Sequence, residues 1–318
     1  MELMEPQVPI SAILGFLLLV VITVINIISV LRSKTKNHHH AKSKLLPPGP
    51  RKLPLIGNMH NLAGSNLPHH SLANLSQQYG PLMHLKLGEL SCIVVSSPEI
   101  AKEVMKTHDI NFSNRPPFLA AQIISYGSKG ITFSPHGTYW RQMRKICTME
   151  LLSAKRVESF RSAREGELSK FVKDLILSEG SLINLSEKLD SLAYDLTSGV
   201  VFGGAIQAKG KEQYRKLTKD VSKVAGGFSV ADLFPSIGAL QVLTGFKTKL
   251  EKLHREMDKI IEDIVTRHRD KNLKTGETGE DLVDVLLKLQ KRSDLEHPLS
   301  NNIIKATILV SILLFNSL

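Results

Sequence analysis

The sequence predicts a mainly α-helical protein with one small N-terminal β-sheet, preceded by a single transmembrane helix. Three observations predict it: an uncharged apolar run at Ile10–Leu31, one hairpin signal over residues 82–96, and helix-period apolar spacing through most of the chain from Ser134 onward.

Ile10–Leu31 holds 22 residues without a charge. As a helix it is about 33 Å long, enough for a hydrocarbon core of about 30 Å. Ser11, Thr23, Asn26 and Ser29 are its polar residues. A cleaved signal peptide wants a basic start, a shorter apolar stretch and small residues at a cleavage site. Here Glu2 and Glu5 come first, and the bases follow: Arg32, Lys34, Lys36, Lys42, Lys44, Arg51 and Lys52, with no acid among them. The positive-inside rule therefore expects Met1 in the lumen and everything after Leu31 in the cytosol, a single-pass anchor in the endoplasmic reticulum membrane. His38, His39 and His40 fall in this solvated tract and receive no metal role. Pro47, Pro48, Gly49, Pro50 and Pro54 stop the helix and favour an extended spacer. The expected organisation is residues 1–9 lumenal, 10–31 anchor, 32–54 basic and proline-rich linker, and 55–318 an incomplete helical domain.

The net charge of +11 is concentrated in that linker, and the mild remainder gives no focused nucleic-acid footprint. Cys92 and Cys147 are the two cysteines; without a C-x-x-C pair they read as reduced, small, buried side chains. No strand–Gly-rich-loop–helix unit occurs, which argues against a nucleotide-binding α/β fold.

Within the domain, Leu67–Tyr79 reads as a helix ended by Gly80-Pro81. Leu82–Leu87 and Ser91–Ser96 alternate as strands joined through Gly88-Glu89-Leu90. Pro98 opens a helix through Lys106. Helices follow at Pro135–Leu152, Ala154–Leu177, Leu182–Val201, Tyr214–Gly226, Phe246–Lys271, Asp281–Lys291 and from Asn301.

The informative helix contains Trp140-Arg-Gln-Met-Arg144. At 100° per residue, Trp140, Met143, Arg144, Cys147 and Leu151 share a stripe, while Arg141, Lys145 and Leu152 lie elsewhere. Arg144 is therefore expected on a buried face, where an unpaired guanidinium is prohibitively costly. Two readings stay open on this helix alone. One is a salt bridge to a distant carboxylate; the other is an anionic ligand held by Arg144 and the Trp140 indole N–H.

Trp140-x-x-x-Arg144, together with Phe112-Ser-Asn-Arg115-Pro116, PPGPRKLPLIGN, QQYGPLMHLKLG, SPEIAKEVMKTHD, ELLSAKRVESFR and EDLVDVLL, resembles the plant-type microsomal cytochromes P-450 in order and spacing over residues 47–306. The resemblance implies a partial cytochrome P-450 fold binding haem, with Arg115, Trp140 and Arg144 at the haem propionates. It implies a substrate-facing segment at Phe118–Phe133, with Phe118, Ile123, Ile124 and Tyr126 on its wall. It implies that Gly226–Ser236 lies near the membrane and the substrate entrance. The implied partners are the membrane, an NADPH-dependent P-450 reductase and a small apolar substrate, with no nucleic acid.

Three family motifs have no match in the 318 residues. The haem-thiolate loop F-x-x-G-x-R-x-C-x-G is missing, and so is the acid–threonine pair of the long central helix. E-x-x-R occurs at Glu158–Arg161 and Glu212–Arg215, both too early and without a downstream P-x-R-F. The expectation is a haem-thiolate monooxygenase family member without catalytic residues of its own, inactive as it stands. The alternative is a non-catalytic, membrane-anchored fragment that competes for interactions. Apolar faces such as Trp140–Leu151 and Leu282–Leu289 are expected to lack part of their cover.

Asn74-Leu-Ser76, Asn111-Phe-Ser113 and Asn184-Leu-Ser186 are glycosylation sequons and so report topology. Translation with microsomes should leave all three bare. An endoglycosidase-sensitive mass increase would overturn the cytosolic placement.

Overall fold

Prolines and glycines mark where the helices begin and end. The computed structural model describes residues 22–23, 46–64, 67–203, 208–225, 229–275 and 281–315. The expected anchor at Ile10–Leu31 lies outside the described residues, apart from Ile22 and Thr23. Among the described residues no helix is long and apolar enough to cross a membrane.

The chain divides into two compact units: Met1–Asp109 with Leu233–Pro235, and Ile110–Asp232 with Ser236–Leu318. In the first, Pro68 occupies the first turn of α1 (Pro68–Tyr79), and Gly80 ends it at φ 95°. Strands β1 (Leu82–Leu87) and β2 (Leu90–Val95) form an antiparallel hairpin with Leu82 opposite Val95 and Leu87 opposite Leu90. Its two-residue loop needs a positive φ, which Gly88 supplies at 60°. Helix α2 (Pro98–Lys102) is capped by Ser97, whose hydroxyl accepts from the Ile100 amide at 3.2 Å. A π-helical turn, Glu103–Thr107, continues it.

The expected alternation of β1 is broken, because Met83, His84 and Leu85 are all buried. The reason is a neighbour along the open edge of the strand. The Pro48 carbonyl accepts from the His84 amide at 2.9 Å, and Pro50 is buried. The end of the proline-rich stretch is therefore docked on the hairpin. Asn58, fully buried, ties it there: its amide nitrogen donates to the Pro50 carbonyl at 3.1 Å, and its carbonyl accepts from the Lys86 amide at 2.8 Å. Leu85, Leu87 and Leu233 form this unit's small core.

The second unit is helical: α3 (Leu119–Ile124), α4 (Thr138–Ile146), α5 (Arg161–Leu177), α6 (Leu185–Phe202), α7 (Ala208–Ala225), α8 (Phe246–Thr275), α9 (Leu282–Gln290) and α10 (Asn301–Phe315). Asn184 caps α6 by accepting from the Glu187 amide, and Gly203 ends that helix in the left-handed region. Asp281 caps α9 through the Asp284 amide at 3.0 Å. The core draws Met143 from α4, Phe202 from α6, Tyr214 from α7, Leu250 and Ile261 from α8, Leu286 from α9, and Ile304 and Ile308 from α10. Contrary to expectation, Leu282–Leu289 does not lack cover: Val283 and Leu286 are fully buried. Among the described helices without a buried residue, α5 is the longest.

Gly49 meets the hairpin so closely that a Cβ there would lie 2.1 Å from the His84 carbonyl oxygen. Backbone cannot yield as a flexible side chain can. Gly49→Ala should cost the first unit about 1–3 kcal/mol, the usual scale of overpacking, read as a lowered denaturation midpoint. An unchanged midpoint would show that the proline stretch is not docked there.

Candidate functional site

Two of the three expected ligand-binding residues meet one short segment of the second unit, and the third lies against one of them. Arg115 Nε donates to the Thr132 carbonyl at 3.1 Å, and Trp140 Nε1 donates to the Ile131 carbonyl at 3.1 Å. The Arg144 guanidinium lies over the Trp140 ring, 5.2 Å from its centroid, a cation–π contact. Asn114 and His136 close the group: the Asn114 side chain accepts from the His136 amide at 3.2 Å, and the His136 ring lies 5.5 Å from Trp140.

Burial departs from expectation. Arg144 is exposed and Trp140 half-buried, while Met143 and Ile146 carry the buried face of α4. The cause is local. After Ile146 the chain enters a π-helical turn, Cys147–Leu151, closed by the Leu152 amide on the Cys147 carbonyl at 2.9 Å. That i→i+5 bond places one more residue in the turn, so Leu151 is buried out of phase with the uniform 100° wheel. Without Leu151 in the stripe, its centre moves from Trp140–Arg144 to Met143–Ile146. Arg144 thus needs no buried counter-ion, and its charge faces solvent.

Two further contacts fix α4 by a route that sequence patterns do not signal. Gln142 and His297 exchange hydrogen bonds: Nε2 donates to the His297 carbonyl at 2.6 Å, and Oε1 accepts from the His297 amide at 2.9 Å. Thr138 Oγ1 lies 2.8 Å from His297 Nε2. On its outer side, Arg141 and Lys145 line an open cavity of about 600 Å³ with Glu150, Arg292, Asp294 and Glu296.

The segment after Arg115 divides by chemistry. Leu119 and Ile124 are buried, and Phe118 and Ile123 half-buried. The Leu119 amide is capped by Asp232 Oδ1 at 2.9 Å. Tyr126 is held in a polar network: its hydroxyl donates to Asp258 Oδ1 at 2.7 Å, and Lys305 Nζ lies 2.7 Å from Asp258 and 2.6 Å from Glu262. Burial alone would raise the Asp258 carboxyl, but the hydrogen bonds from Lys305 and Tyr126 hold it below its ordinary value. The same burial pushes the Tyr126 hydroxyl far above its ordinary value, with Asp258 adding to the effect.

Neither cysteine offers a thiolate. Burial pushes the Cys147 thiol up to about 11 and raises Cys92 as well. The two E-x-x-R matches do not form a buried ion pair. Arg161 and Glu158 pair at 3.2 Å with both side chains more than half exposed, and Arg215 bonds the Ser191 hydroxyl. Among the described residues, one group has metal-like spacing: His268, Asp281 and Asp284, buried, with ligand atoms within 4.8 Å. Its bonds serve the fold instead. His268 Nδ1 faces the Ile264 carbonyl and Nε2 faces Asp281 Oδ2, each at 2.8 Å. Two acceptors facing the ring favour its doubly protonated, charged form.

Comparison with known proteins supplies the context. The family model for Cytochrome P-450 matches residues 47–313. Tabersonine 6,7-epoxidase isoform 1 of Catharanthus roseus is 50% identical over 277 residues, covering 86% of this chain and 54% of the relative. Premnaspirodiene oxygenase of Hyoscyamus muticus is 48% identical, covering 86% and 55%. Desmethyl-deoxy-podophyllotoxin synthase of Sinopodophyllum hexandrum is 47% identical, covering 84% and 53%. The chain spans about half the length of these relatives. A zebrafish cytochrome P-450 solved with progesterone shares the fold at TM-score 0.63 and 23% identity, over 77% of this chain and 55% of that one.

His268 gives a pH test. Burial disfavours its charge, but the bond and charge of Asp281 outweigh burial and raise it above 6.5. A raised folded value stabilises fully below the unfolded value and is lost as pH rises through the folded one. Stability of the unaltered chain should therefore decline above about pH 6.5, and His268→Gln should remove that slope. Parallel stability curves for the two proteins would overturn the assignment.

Proposed function

The chain belongs to the cytochrome P-450 family, and on that premise we propose that it is the N-terminal, haem-cradling part of a plant monooxygenase. The proposed reaction oxidises small apolar secondary metabolites with O₂ and electrons from an NADPH-dependent reductase. The observation that carries the reading is the grouping of Arg115 and Trp140 on the carbonyls of Thr132 and Ile131, with the Arg144 guanidinium lying over the Trp140 ring. Two guanidinium cations side by side suit the paired carboxylates of a porphyrin. Haem with a thiolate ligand supplies the O–O cleavage chemistry. Arg115 and Arg144 would neutralise the propionates, while the Trp140 indole N–H stays on the Ile131 carbonyl. In this reading Trp140 also fixes the plane of the Arg144 guanidinium by stacking under it.

The substrate class rests on the relatives' names, an epoxidase of tabersonine and an oxygenase of premnaspirodiene. The membrane placement rests on Ile10–Leu31 and its following bases, supported by Val242 and Leu243, which are 68% and 79% exposed. For the reductase, exposed Arg141 and Lys145 on the outer side of α4 offer a basic contact.

A second reading is favoured by the positions of the two cysteines, one on β2 and one in the π-helical turn after α4. By itself the 318-residue chain would then be a non-catalytic, membrane-anchored fragment, holding neither an iron-ligating thiolate nor the protons of oxygen activation.

Two measurements test these readings. In a form that carries the thiolate loop, Arg144→Ala should weaken haem retention by about tenfold, and Arg141→Ala by much less. Equal haem content in the two variants would count against the propionate assignment. For the 318-residue chain, the second reading expects no thiolate-type band in the reduced carbon monoxide spectrum; such a band would end it.

A further inference from the structure

We infer that Ser91 is an activated serine, with His84 as its general base, and that it takes the acyl group of activated acyl donors such as acyl phosphates, thioesters and aryl esters. The site lies wholly within the first unit and is independent of haem binding. His84 of β1 and Ser91 of β2 stand on the outer face of the hairpin, opposite the face that carries Leu85 and Leu87. Ile93 pairs with His84 and Lys86 pairs with Ser91, so the two residues meet on the diagonal. Their contact is short: His84 Nε2 lies 2.7 Å from the Ser91 hydroxyl oxygen. The serine is exposed, whereas the histidine is only 4% exposed. A reagent from solvent therefore reaches the nucleophile, and the base sits behind it.

The surroundings of the imidazole set its chemistry. Its backbone is held by the docked proline stretch, where the His84 amide donates to the Pro48 carbonyl at 2.9 Å. Burial disfavours the charged ring, and the ammonium groups of Lys52 and Lys86 add to that, so its value falls below 6.5. At neutral pH the ring is uncharged, and with its proton on Nδ1 it offers a lone pair at Nε2. The Ser91 hydroxyl donates to that lone pair, which is the nucleophile–base arrangement of covalent catalysis. In the step, Ser91 Oγ attacks the acyl carbonyl carbon while its proton passes to His84 Nε2. A C–O bond to Ser91 forms, and the bond to the leaving group breaks with its electron pair on the leaving group. The imidazolium then gives its proton to the leaving group or to water, and nothing is oxidised or reduced. Lys86, across the ladder from Ser91, and Lys52 are both exposed. Their charges suit the oxyanion that develops during attack.

Acetylation of the full 318-residue chain by p-nitrophenyl acetate, located by peptide mass spectrometry, tests this. Ser96, exposed just past the end of β2, is the internal reference. Ser91 should take the acetyl group about a hundredfold faster than Ser96, the lower end of what a positioned base contributes. The ratio of the two rates should rise with pH through a midpoint below 6.5, as His84 loses its proton, and stay level above it. His84→Gln should bring the ratio close to one. A ratio close to one in the unaltered chain, a ratio that does not change with pH, or a His84→Gln chain that keeps the full ratio would each overturn the assignment. The first two measurements need no substitution, so a variant that fails to fold leaves the test intact.

Discussion

A helix that is apolar on every side can exist in water only if protein covers every side, and α10 imposes that constraint on the second unit. Ile303, Ile304, Ala306, Ile308, Leu309 and Val310 are all buried, and these positions run around the whole helix. Helices α6, α7, α8 and α9 each meet it. Gly130 approaches so closely that a Cβ would touch Val310 at 2.6 Å. The one charge in this stretch, Lys305, is 7% exposed. It is tolerable there because two carboxylates and a tyrosine ring surround it. A buried ammonium without them would be strongly destabilising. The polar network on α8 thus follows from the apolar helix beside it.

Much of the fold was legible in the sequence, because its signals are local. The hairpin's ends, the Pro68 and Pro98 helix starts and the extents of α6, α8 and α9 lie within a few residues of the expected ones. Each is set by prolines, glycines, caps and period. The misses share one physical origin, which is that the deciding partner is remote or the local geometry irregular. The π-helical turn after Ile146 put Leu151 out of phase with α4, and no residue type announces such a turn. The burial of His84 depends on Pro48, and Leu282–Leu289 is covered by helices distant in sequence. The DLFPS stretch is split between units, with Asp232 in the second and Leu233–Pro235 in the first.

The candidate site shows the same division. Arg115, Trp140 and Arg144 were expected from the family resemblance; the structure sets Arg115 and Trp140 on the consecutive carbonyls of Thr132 and Ile131 and lays Arg144 over the Trp140 ring. Their solvation was not foreseen, and neither was the Gln142–His297 exchange that anchors their helix. Tyr126, expected among apolar wall residues, instead spends its hydroxyl on Asp258. Aromatic residues with a polar tip satisfy either role, and only the partner decides between them.

Helix α5 draws nothing from this core. Its 17 residues contain no buried side chain, and Leu168, Val172 and Ile176 form an exposed stripe at four-residue spacing. Leu177 and Leu182 continue that greasy edge past the helix end. In a crowded cell such an edge is what holdase chaperones grip and what colloidal clumping starts from. Such an edge invites association whatever the stability of the core beneath it.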